Sequence, residues 1–288
     1  MQIKELRSLL FLPANRPAFI ERAHERSADA VILDLEDAVL PEQKAEARLM
    51  VPRASAALAA RGLTVLLRVN ADPQAWCADL DAADLSKLKG VILPKVEAAA
   101  EVAALAEALN VMERRSACPW PLAVAALIES PLGVLRAAEI AQASERLCAL
   151  GFGAEDYAAC LGIPPEPDYL RWPAQQVANS ARAFGLGCWG LADTVANMED
   201  MARFEGAVRE ARNLGFTGSV AVHPRQVPPV NRGFSPTQAE LEWALRVVAA
   251  AEAGRAQGKG VVRLDGRMVD HPLVDRAERW LRQRRMSQ

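Results

Sequence analysis

The sequence has no excess of charge of either sign, few aromatic residues and no long hydrophobic run. Its 34 lysines and arginines nearly balance 36 aspartates and glutamates, which leaves a net charge of −2. This balance argues against a nucleic-acid-binding protein held mainly by neutralised phosphates. The apolar run Leu9–Leu12 is far shorter than the ~20 residues of a membrane span, and Pro13 follows it at once. We therefore expect a globular protein with neither a membrane nor a nucleic acid as partner.

Cysteine and histidine are also scarce. The five cysteines are odd in number, widely spaced and form no CxxC pair, and there are only three histidines. These counts disfavour a disulfide framework or a cysteine-based zinc site. A chain of 288 residues is long enough to bury its core without either device. We expect reduced thiols and a cytoplasmic location.

The sequence does contain short runs rich in Val, Ile and Leu, which are separated by longer amphipathic stretches. Continuous apolar runs without alternation are typical of strands buried on both faces. Eight such β-then-α units in ~250 residues predict an α/β fold, the (β/α)8 TIM barrel. A doubly wound sheet is the rival, but its first turn is rich in glycine, whereas the turn Pro13–Pro17 has none. The eight runs are Ser8–Pro13, Ala30–Leu35, Thr64–Val69, Gly90–Pro94, Leu122–Ile128, Arg146–Gly151, Gly187–Leu191 and Gly218–His223.

Helix starts and a change of composition divide the chain. Ser130 before a proline predicts a helix N-cap, and Ser235 predicts another, with Pro236 at the first helical position and Gln238 at the third. No linker interrupts the first ~250 residues. After Ala253 the sequence becomes rich in glycine. We therefore predict a barrel domain over residues 1–253 and a C-terminal helical lid or extension over residues 254–288. The glycines concerned are Gly254, Gly258, Gly260 and Gly266.

Charged and polar residues follow the apolar runs. In barrels of this type, catalytic side chains lie where the strands end. Several carboxylates brought together there would repel one another and raise each other's pKa. A divalent cation relieves that repulsion, and a few hard oxygen ligands suit Mg2+. The residues are Asp34, Glu36, Asp37, Arg68, Asn70, Lys95, Glu97, Glu129, Glu155, Asp156, Asp193, His223 and Arg225.

These acids are not equivalent. A carboxylate at a helix start is more often a cap or a partner of the helix dipole than a metal ligand, and we interpret Glu97, Glu155 and Asp193 in that way. Glu129 and Asp156 each close a strong apolar run. We predict that these two are the metal ligands.

Two cations belong to the same set. Arg68 directly follows the run TVLL, so its stem should be buried at the barrel mouth. A guanidinium there needs an anionic partner, which would be a substrate carboxylate or one of the acids. Lys95 would be a Schiff-base nucleophile if it were desolvated. With so many acids nearby, we favour a paired, charged lysine.

At these residues the sequence resembles the citrate lyase beta-subunit-like family of CoA ester lyases, within the aldolase/citrate lyase superfamily. The matching stretches occur in the family's order from Arg7 to Pro272, and it is the ordered set that is specific. The resemblance implies a Mg2+-dependent (β/α)8 barrel that assembles as a homotrimer or homohexamer. The stretches are RSLLFLPANRP, ADAVILDLEDAV, LLRVN, GVILPKVE, ALIESPLGV, LGFGAEDYAACLG, AVHPRQV and GRMVDHP.

The resemblance also implies roles for single residues of the barrel. Glu129 of IESP and Asp156 of GAED match the metal ligands, and Glu129 also lies among the substrate-binding groups. Arg68 of LLRVN matches the arginine that binds the 2-oxo acid or the developing enolate oxygen. Glu36 and Asp37 of DLED match acids that orient metal-bound water or pair with that arginine.

Two further positions follow from the resemblance. Asp270 of MVDHP matches an aspartate that reaches a neighbouring subunit's site as the acid/base. Arg16 lies in the first loop, which approaches the CoA in the family, and is the candidate CoA-binding residue. Ala14 in the same loop departs from the glycine that the family commonly has there.

The function implied is cleavage or formation of the C–C bond of a β-hydroxyacyl-CoA, such as malyl-, methylmalyl- or citryl-CoA. The products would be an acyl-CoA and a 2-oxo acid. A thioesterase acting on malyl-CoA is a close neighbour. A CoA-independent metal aldolase is disfavoured because Asp37 stands where that branch usually has a histidine. A CoA-ester-binding protein without catalysis is the last alternative.

Overall fold

The computed structural model describes residues 2–286 and divides into two compact units between Phe234 and Ser235. The first unit holds eight parallel strands in the order β7-β6-β5-β4-β3-β2-β1-β8. The bridge between Trp189 and Gly218 joins the two outer strands and closes the sheet into a barrel. The strands are β1 Ser8–Pro13, β2 Ala30–Asp34, β3 Val65–Arg68, β4 Gly90–Leu93, β5 Ala123–Ile128, β6 Leu147–Phe152, β7 Gly187–Gly190 and β8 Ser219–Ala221.

Helices follow the strands around the barrel, which confirms the predicted (β/α)8 architecture. Ser130 is the N-cap of the helix after β5, as predicted, and its hydroxyl accepts a hydrogen bond from Gly133 N–H at 3.1 Å. The helices of this unit are α1 Pro17–Arg22, α2 Lys44–Ala60, α3 Pro73–Asp81, α4 Ala99–Arg115, α5 Pro131–Ile140, α6 Ala154–Leu161, α7 Pro167–Ala183, α8 Met201–Leu214 and α9 Val227–Gly233.

Both faces of the strands are buried. One cluster fills the barrel interior and includes Leu9, Ile32, Leu66 and Trp189. A larger cluster lies between the strands and the helices. Adjacent residues of a strand point to opposite faces, and both faces are buried here. Apolar residues therefore occupy successive positions, which explains the continuous runs in the sequence.

The strand register brings the functional residues to one rim. Asp34, the last residue of β2, pairs with Pro13 of β1 on one side and with Arg68 of β3 on the other. Ile128 at the end of β5 pairs with Phe152 at the end of β6. The residues that follow these strands therefore leave the barrel at the same level.

The second unit consists of α10 Gln238–Ala256, a hairpin of β9 Val262–Leu264 and β10 Arg267–Val269, and α11 His271–Met286. The unit begins before the predicted boundary at residue 253, so α10 belongs with the C-terminal segment. The second unit has a small hydrophobic core of its own, to which both α10 and α11 contribute. Trp243 on α10 and Trp280 on α11 lie with their rings 5.5 Å apart.

The predicted N-cap of α10 is wrong by two residues. Thr237, not Ser235, caps the helix: its hydroxyl accepts from Glu240 N–H, and the Glu240 carboxylate accepts from Thr237 N–H at 2.7 Å. A charged Glu at the third helical position makes a stronger reciprocal pair than Gln238 would. None of the helices in residues 2–286 is both long and apolar enough to cross a membrane.

Candidate active site

Arg68 stands at the centre of the barrel rim. Its guanidinium forms two parallel hydrogen bonds to Asp34, from Nε at 2.7 Å and from Nη2 at 2.6 Å, and its Nη1 lies 2.8 Å from Glu36 Oε2. The group is only 8% exposed and lies over the ring of Phe11 at 4.6 Å. Burial opposes its charge, but the carboxylates outweigh burial and hold the pKa of Arg68 above its ordinary value. The anionic partners expected for Arg68 are therefore acids of the protein.

Asp34 is a site residue to which the sequence analysis assigned no role. Besides Arg68, its carboxylate accepts hydrogen bonds from the backbone N–H groups of Glu36 at 2.9 Å and Ala38 at 3.2 Å. It thus fixes both the arginine and the loop that carries Glu36 and Asp37. A lone acid inside the run AVILDL was the available signal, because a charge buried in a strand needs a partner at the same level of the next strand.

Lys95 is held among three acids. Its Nζ lies 3.0 Å from Glu36 Oε1, 3.3 Å from Asp37 Oδ1 and 3.8 Å from Asp156 Oδ1. Partial burial lowers the pKa of Lys95, but the hydrogen bond to Glu36 and the three negative charges outweigh that effect and raise it above its ordinary value. A protonated amine is no nucleophile, so this environment supports the paired-lysine interpretation over a Schiff base.

Glu36 and Asp37 differ in environment although they are adjacent. Glu36 is buried, and burial raises its pKa despite the opposing effects of Arg68 and Lys95. Asp37 is half exposed. Burial would raise its pKa, but the hydrogen bond with Glu36 and the charges of Arg68 and Lys95 lower it. The pKa values of the two adjacent acids are therefore shifted in opposite directions.

Glu129 and Asp156 form the candidate metal site. Glu129 is 5% exposed, and its Oε2 accepts a hydrogen bond from Lys95 N–H at 2.7 Å. Burial, together with the nearby charges of Asp156 and Glu36, raises the pKa of Glu129 to about 7. Asp156, in the first turn of α6, keeps 40% of its side chain exposed. An oxygen-ligand cation would relieve this repulsion.

No cluster of three or more His, Cys, Asp or Glu side chains that could hold a metal is formed within residues 2–286. Mg2+ usually takes only one or two carboxylates and completes its shell with water and substrate oxygens. The two-carboxylate arrangement of Glu129 and Asp156 therefore fits Mg2+. It does not fit a metal that needs a closed protein cage.

Gly153, which caps α6, makes room for Glu129. A Cβ at this position would lie 2.6 Å from both Cγ and Oε1 of Glu129. Only glycine lets the backbone after β6 approach the carboxylate so closely. The motif GFGAED thus supplies the candidate ligand Asp156. Its Gly153 leaves space for the other candidate ligand, Glu129.

A pocket of about 430 Å3 opens at this rim. Its lining includes charged residues, among them Arg68, Glu129 and Asp156. It also includes the apolar residues Phe11, Leu127, Phe152, Trp189, Val220 and Val222. The pocket can therefore hold a small carboxylate next to an uncharged chain.

The acids that were interpreted as structural all have protein partners. Asp193 lines the pocket, but Arg203 donates to it at 2.7 Å and 2.9 Å. Thr194 donates to Glu155, and Ser130 donates to Glu97. These contacts support the interpretation of the three acids as structural groups and not as metal ligands.

The two remaining predicted site residues are Arg16 and Asp270. Arg16 is exposed at the N-cap of α1. Asp270 belongs to the C-terminal unit, where its Oδ1 accepts from Leu273 N–H at 3.4 Å at the start of α11. Their roles in CoA binding and proton transfer remain predictions.

Comparison with known proteins places this site in a family. The chain is 38% identical over 277 residues to the citrate lyase subunit beta of Escherichia coli K12, covering 94% of this chain and 90% of that protein. It is 32% identical over 305 residues to the L-malyl-CoA/beta-methylmalyl-CoA lyase of Cereibacter sphaeroides ATCC 17025, covering 97% and 95%.

A solved structure shares both fold and sequence. Protein CitE from Mycobacterium tuberculosis, in complex with magnesium, acetoacetate and coenzyme A, matches 98% of this chain and 99% of its own with a TM-score of 0.75 and 32% identity. Residues 7–224, which carry the barrel and the rim cluster, match the HpcH/HpaI aldolase/citrate lyase family. The chain belongs to the HpcH/HpaI aldolase/citrate lyase family.

Proposed function

We propose that the protein is a Mg2+-dependent CoA ester lyase that cleaves or forms the C–C bond of a β-hydroxyacyl-CoA. The observation that carries this proposal is the pairing of the buried Glu129 with the exposed Asp156 in a pocket that also holds Arg68. The relatives support it, because two of them are named as C–C lyases and one was solved with magnesium and coenzyme A. Malyl-, methylmalyl- and citryl-CoA are the candidate substrates.

Glu129 and Asp156 would hold the cation. When bound, Mg2+ supplies a Lewis acid for the oxygens of a 2-hydroxy or 2-oxo acid. The protein's own part is to hold Glu129 in place, which Lys95 N–H and the space beside Gly153 do. Glu129 would also face the bound acid, as expected for a substrate-binding group.

Arg68 would stabilise the developing negative charge. Its two bonds to Asp34 fix the plane of the guanidinium, and its third nitrogen points to Glu36. A donor held in advance costs no reorganisation during the reaction, so it stabilises the transition state more than a mobile one. Glu36 and Asp37, which lie 2.8 Å and 3.5 Å from Arg68 Nη1, would orient water and substrate beside this donor.

The cleavage step needs two proton transfers. A base removes the proton of the β-hydroxyl group, the C–C bond breaks, and its electron pair forms the thioester enolate. An acid then returns a proton to the enolate carbon and yields the acyl-CoA. We assign this acid/base role to Asp270 of a neighbouring subunit, which makes the segment 254–288 a lid and requires a homotrimer or homohexamer.

The remaining contacts concern the CoA ester. The apolar residues of the pocket lining would contact the acyl chain, and Arg16 at the start of α1 would contact the CoA. Five free cysteines suit the reducing cytoplasm in which we expect the enzyme to work.

The test is a product assay with purified protein, Mg2+ and each of malyl-, methylmalyl- and citryl-CoA. A 2-oxo acid released together with intact acetyl- or propionyl-CoA establishes the lyase and identifies its substrate. Free thiol with an intact hydroxy acid would replace the lyase by a thioesterase. No product from any of the three, with EDTA making no difference, would contradict the proposal in favour of a CoA-independent aldolase or a binding protein.

A further inference from the structure

Lys95 has an unusual backbone conformation. Its φ of +55° lies in the left-handed region, directly after β4 and Pro94. A residue with a side chain pays a conformational cost there, and such conformations persist where the surrounding contacts hold them. Lys95 in this conformation donates its backbone N–H to Glu129, and its Nζ contacts Glu36 of the loop after β2.

One residue thereby contacts both candidate metal ligands. The backbone N–H of Lys95 lies 2.7 Å from Glu129 Oε2, and its ammonium lies 3.8 Å from Asp156 Oδ1. The same ammonium is closer still to Glu36 and Asp37, at 3.0 Å and 3.3 Å. A cation of the protein itself therefore already stands among the carboxylates.

We propose that Lys95 is a positioning residue that occupies Glu36 and Asp37 with its ammonium, and so confines the divalent cation to Glu129 and Asp156. The inference rests on the proposed function, because it takes Mg2+ as the cation of this site. It assigns to Lys95 a competition with the metal, not contact with the substrate.

Charge balance explains why such a residue is needed. Four carboxylates, those of Glu36, Asp37, Glu129 and Asp156, surround the opening. Without Lys95 the nearby positive charge is Arg68, whose Nε and Nη2 are both taken by Asp34. A hard cation would then bind more tightly and would recruit Glu36 and Asp37 as additional ligands. Those two acids would be lost to the reaction.

The prediction has a definite sign. Lys95→Met keeps the length of the side chain and removes its charge, so the affinity for Mg2+ should rise about tenfold or more while turnover falls. Damage to the site of a purely structural kind would lower both quantities. The affinity is measured by isothermal titration calorimetry of the full chain with MgCl2 alone, without any CoA ester.

Three further variants separate charge from backbone strain. Lys95→Arg keeps a cation and should bind Mg2+ within about threefold of the parent. Lys95→Gly removes the ammonium and also the cost of the left-handed backbone, so it should shift the affinity in the same direction as Lys95→Met. Lys89→Met, at the other end of β4, where the exposed Lys89 lies over the ring of Trp120, is the matched control and should change neither affinity nor turnover.

Circular dichroism of each variant shows that it is folded before titration, and Lys95→Gly decides the question if Lys95→Met does not fold. The inference is overturned if folded charge-free variants bind Mg2+ as the parent does or more weakly, or if the parent binds no Mg2+ at millimolar concentration. If the affinities shift as stated but no CoA ester is cleaved, Lys95 keeps its positioning role and the proposed lyase activity fails.

Discussion

At the scale of single residues, the site depends on charges that compensate one another in a confined space. Arg68, Asp34 and Glu36 are buried, and each carries a charge that would be costly without the others. The same contacts that hold the fold together at the rim also aim the groups at the pocket. Changing one charge therefore affects both stability and chemistry.

Asp34→Asn tests this coupling. An amide cannot accept both hydrogen bonds from Arg68 as a carboxylate does, and the arginine is left with an uncompensated buried charge. We expect the free energy of unfolding in urea to fall by about 3 kcal/mol and turnover to fall with it. Glu205→Gln, which removes an exposed pair with Arg232, is the control and should change stability by less than about 1 kcal/mol. Equal unfolding midpoints for both variants would contradict the role of Asp34.

Glu129 gives a prediction about pH. Because its pKa in the folded protein is about 7, above that of an unfolded glutamate, the folded state holds a proton that the unfolded state has lost between about pH 4.5 and pH 7. The stabilisation of the folded state by the protonated Glu129 is therefore fully present below about pH 4.5 and is lost as the pH rises to about 7. Glutamine has no group that titrates in this range, so the stability of Glu129→Gln does not follow this change. In EDTA, the free energy of unfolding of the variant relative to that of the parent should therefore increase between pH 5 and pH 8, on the order of 3 kcal/mol.

The measurement is urea unfolding of the parent and of Glu129→Gln at both pH values. The exposed Glu46→Gln serves as control, with the same difference from the parent at pH 5 and at pH 8. A difference between parent and Glu129→Gln that does not change with pH would show that Glu129 is not the buried, raised-pKa acid described above.

At the scale of elements, the joint between β6 and α6 sets the geometry of the ligands. Gly153→Ala would place a methyl group 2.6 Å from the carboxylate of Glu129, so either Glu129 or the backbone must move. We expect weaker Mg2+ binding, by about tenfold, with the barrel still folded. Gly206→Ala on α8, where a Cβ meets nothing closer than 3.9 Å, should leave Mg2+ binding unchanged. Calorimetric titration with MgCl2 compares the two, and parent-like affinity in Gly153→Ala would refute the packing argument.

Elements were predictable from sequence where a local pattern sufficed. Each of the eight apolar runs coincides with a strand, because a strand buried on both faces leaves a continuous signature. The cap at Ser130 was local in the same sense. By contrast, the ion pair of Arg68 with Asp34 and the backbone of Lys95 depend on partners from other strands. The sequence placed those residues on the rim but did not reveal which of them pair.

At the scale of the whole molecule, we propose that the C-terminal unit supplies the acid/base of the reaction. The barrel unit holds the metal-site candidates and Arg68, while Asp270 belongs to the second unit. If Asp270 serves the site of a neighbouring subunit, two inactive variants should complement each other. We expect co-expressed Arg68→Ala and Asp270→Asn chains to form mixed oligomers with about one quarter of the parent activity, since about one site in four would combine two intact parts.

Each variant expressed alone provides the baseline for this experiment. Size-exclusion chromatography shows whether the mixed chains assemble as a trimer or a hexamer. Mixed oligomers that stay as inactive as the separate variants would mean that Asp270 acts within its own chain or not at all.

The most direct test of the central claim measures whether product release depends on Mg2+ and on the two candidate metal ligands. In the parent, release of a 2-oxo acid and of intact acyl-CoA should occur in equal amounts with Mg2+ and should stop with EDTA. In folded Glu129→Gln and Asp156→Asn, both products should fall by at least about a hundredfold at saturating Mg2+. Full activity in both variants, or activity that EDTA does not change, would contradict the assignment of this rim as a magnesium-dependent lyase site.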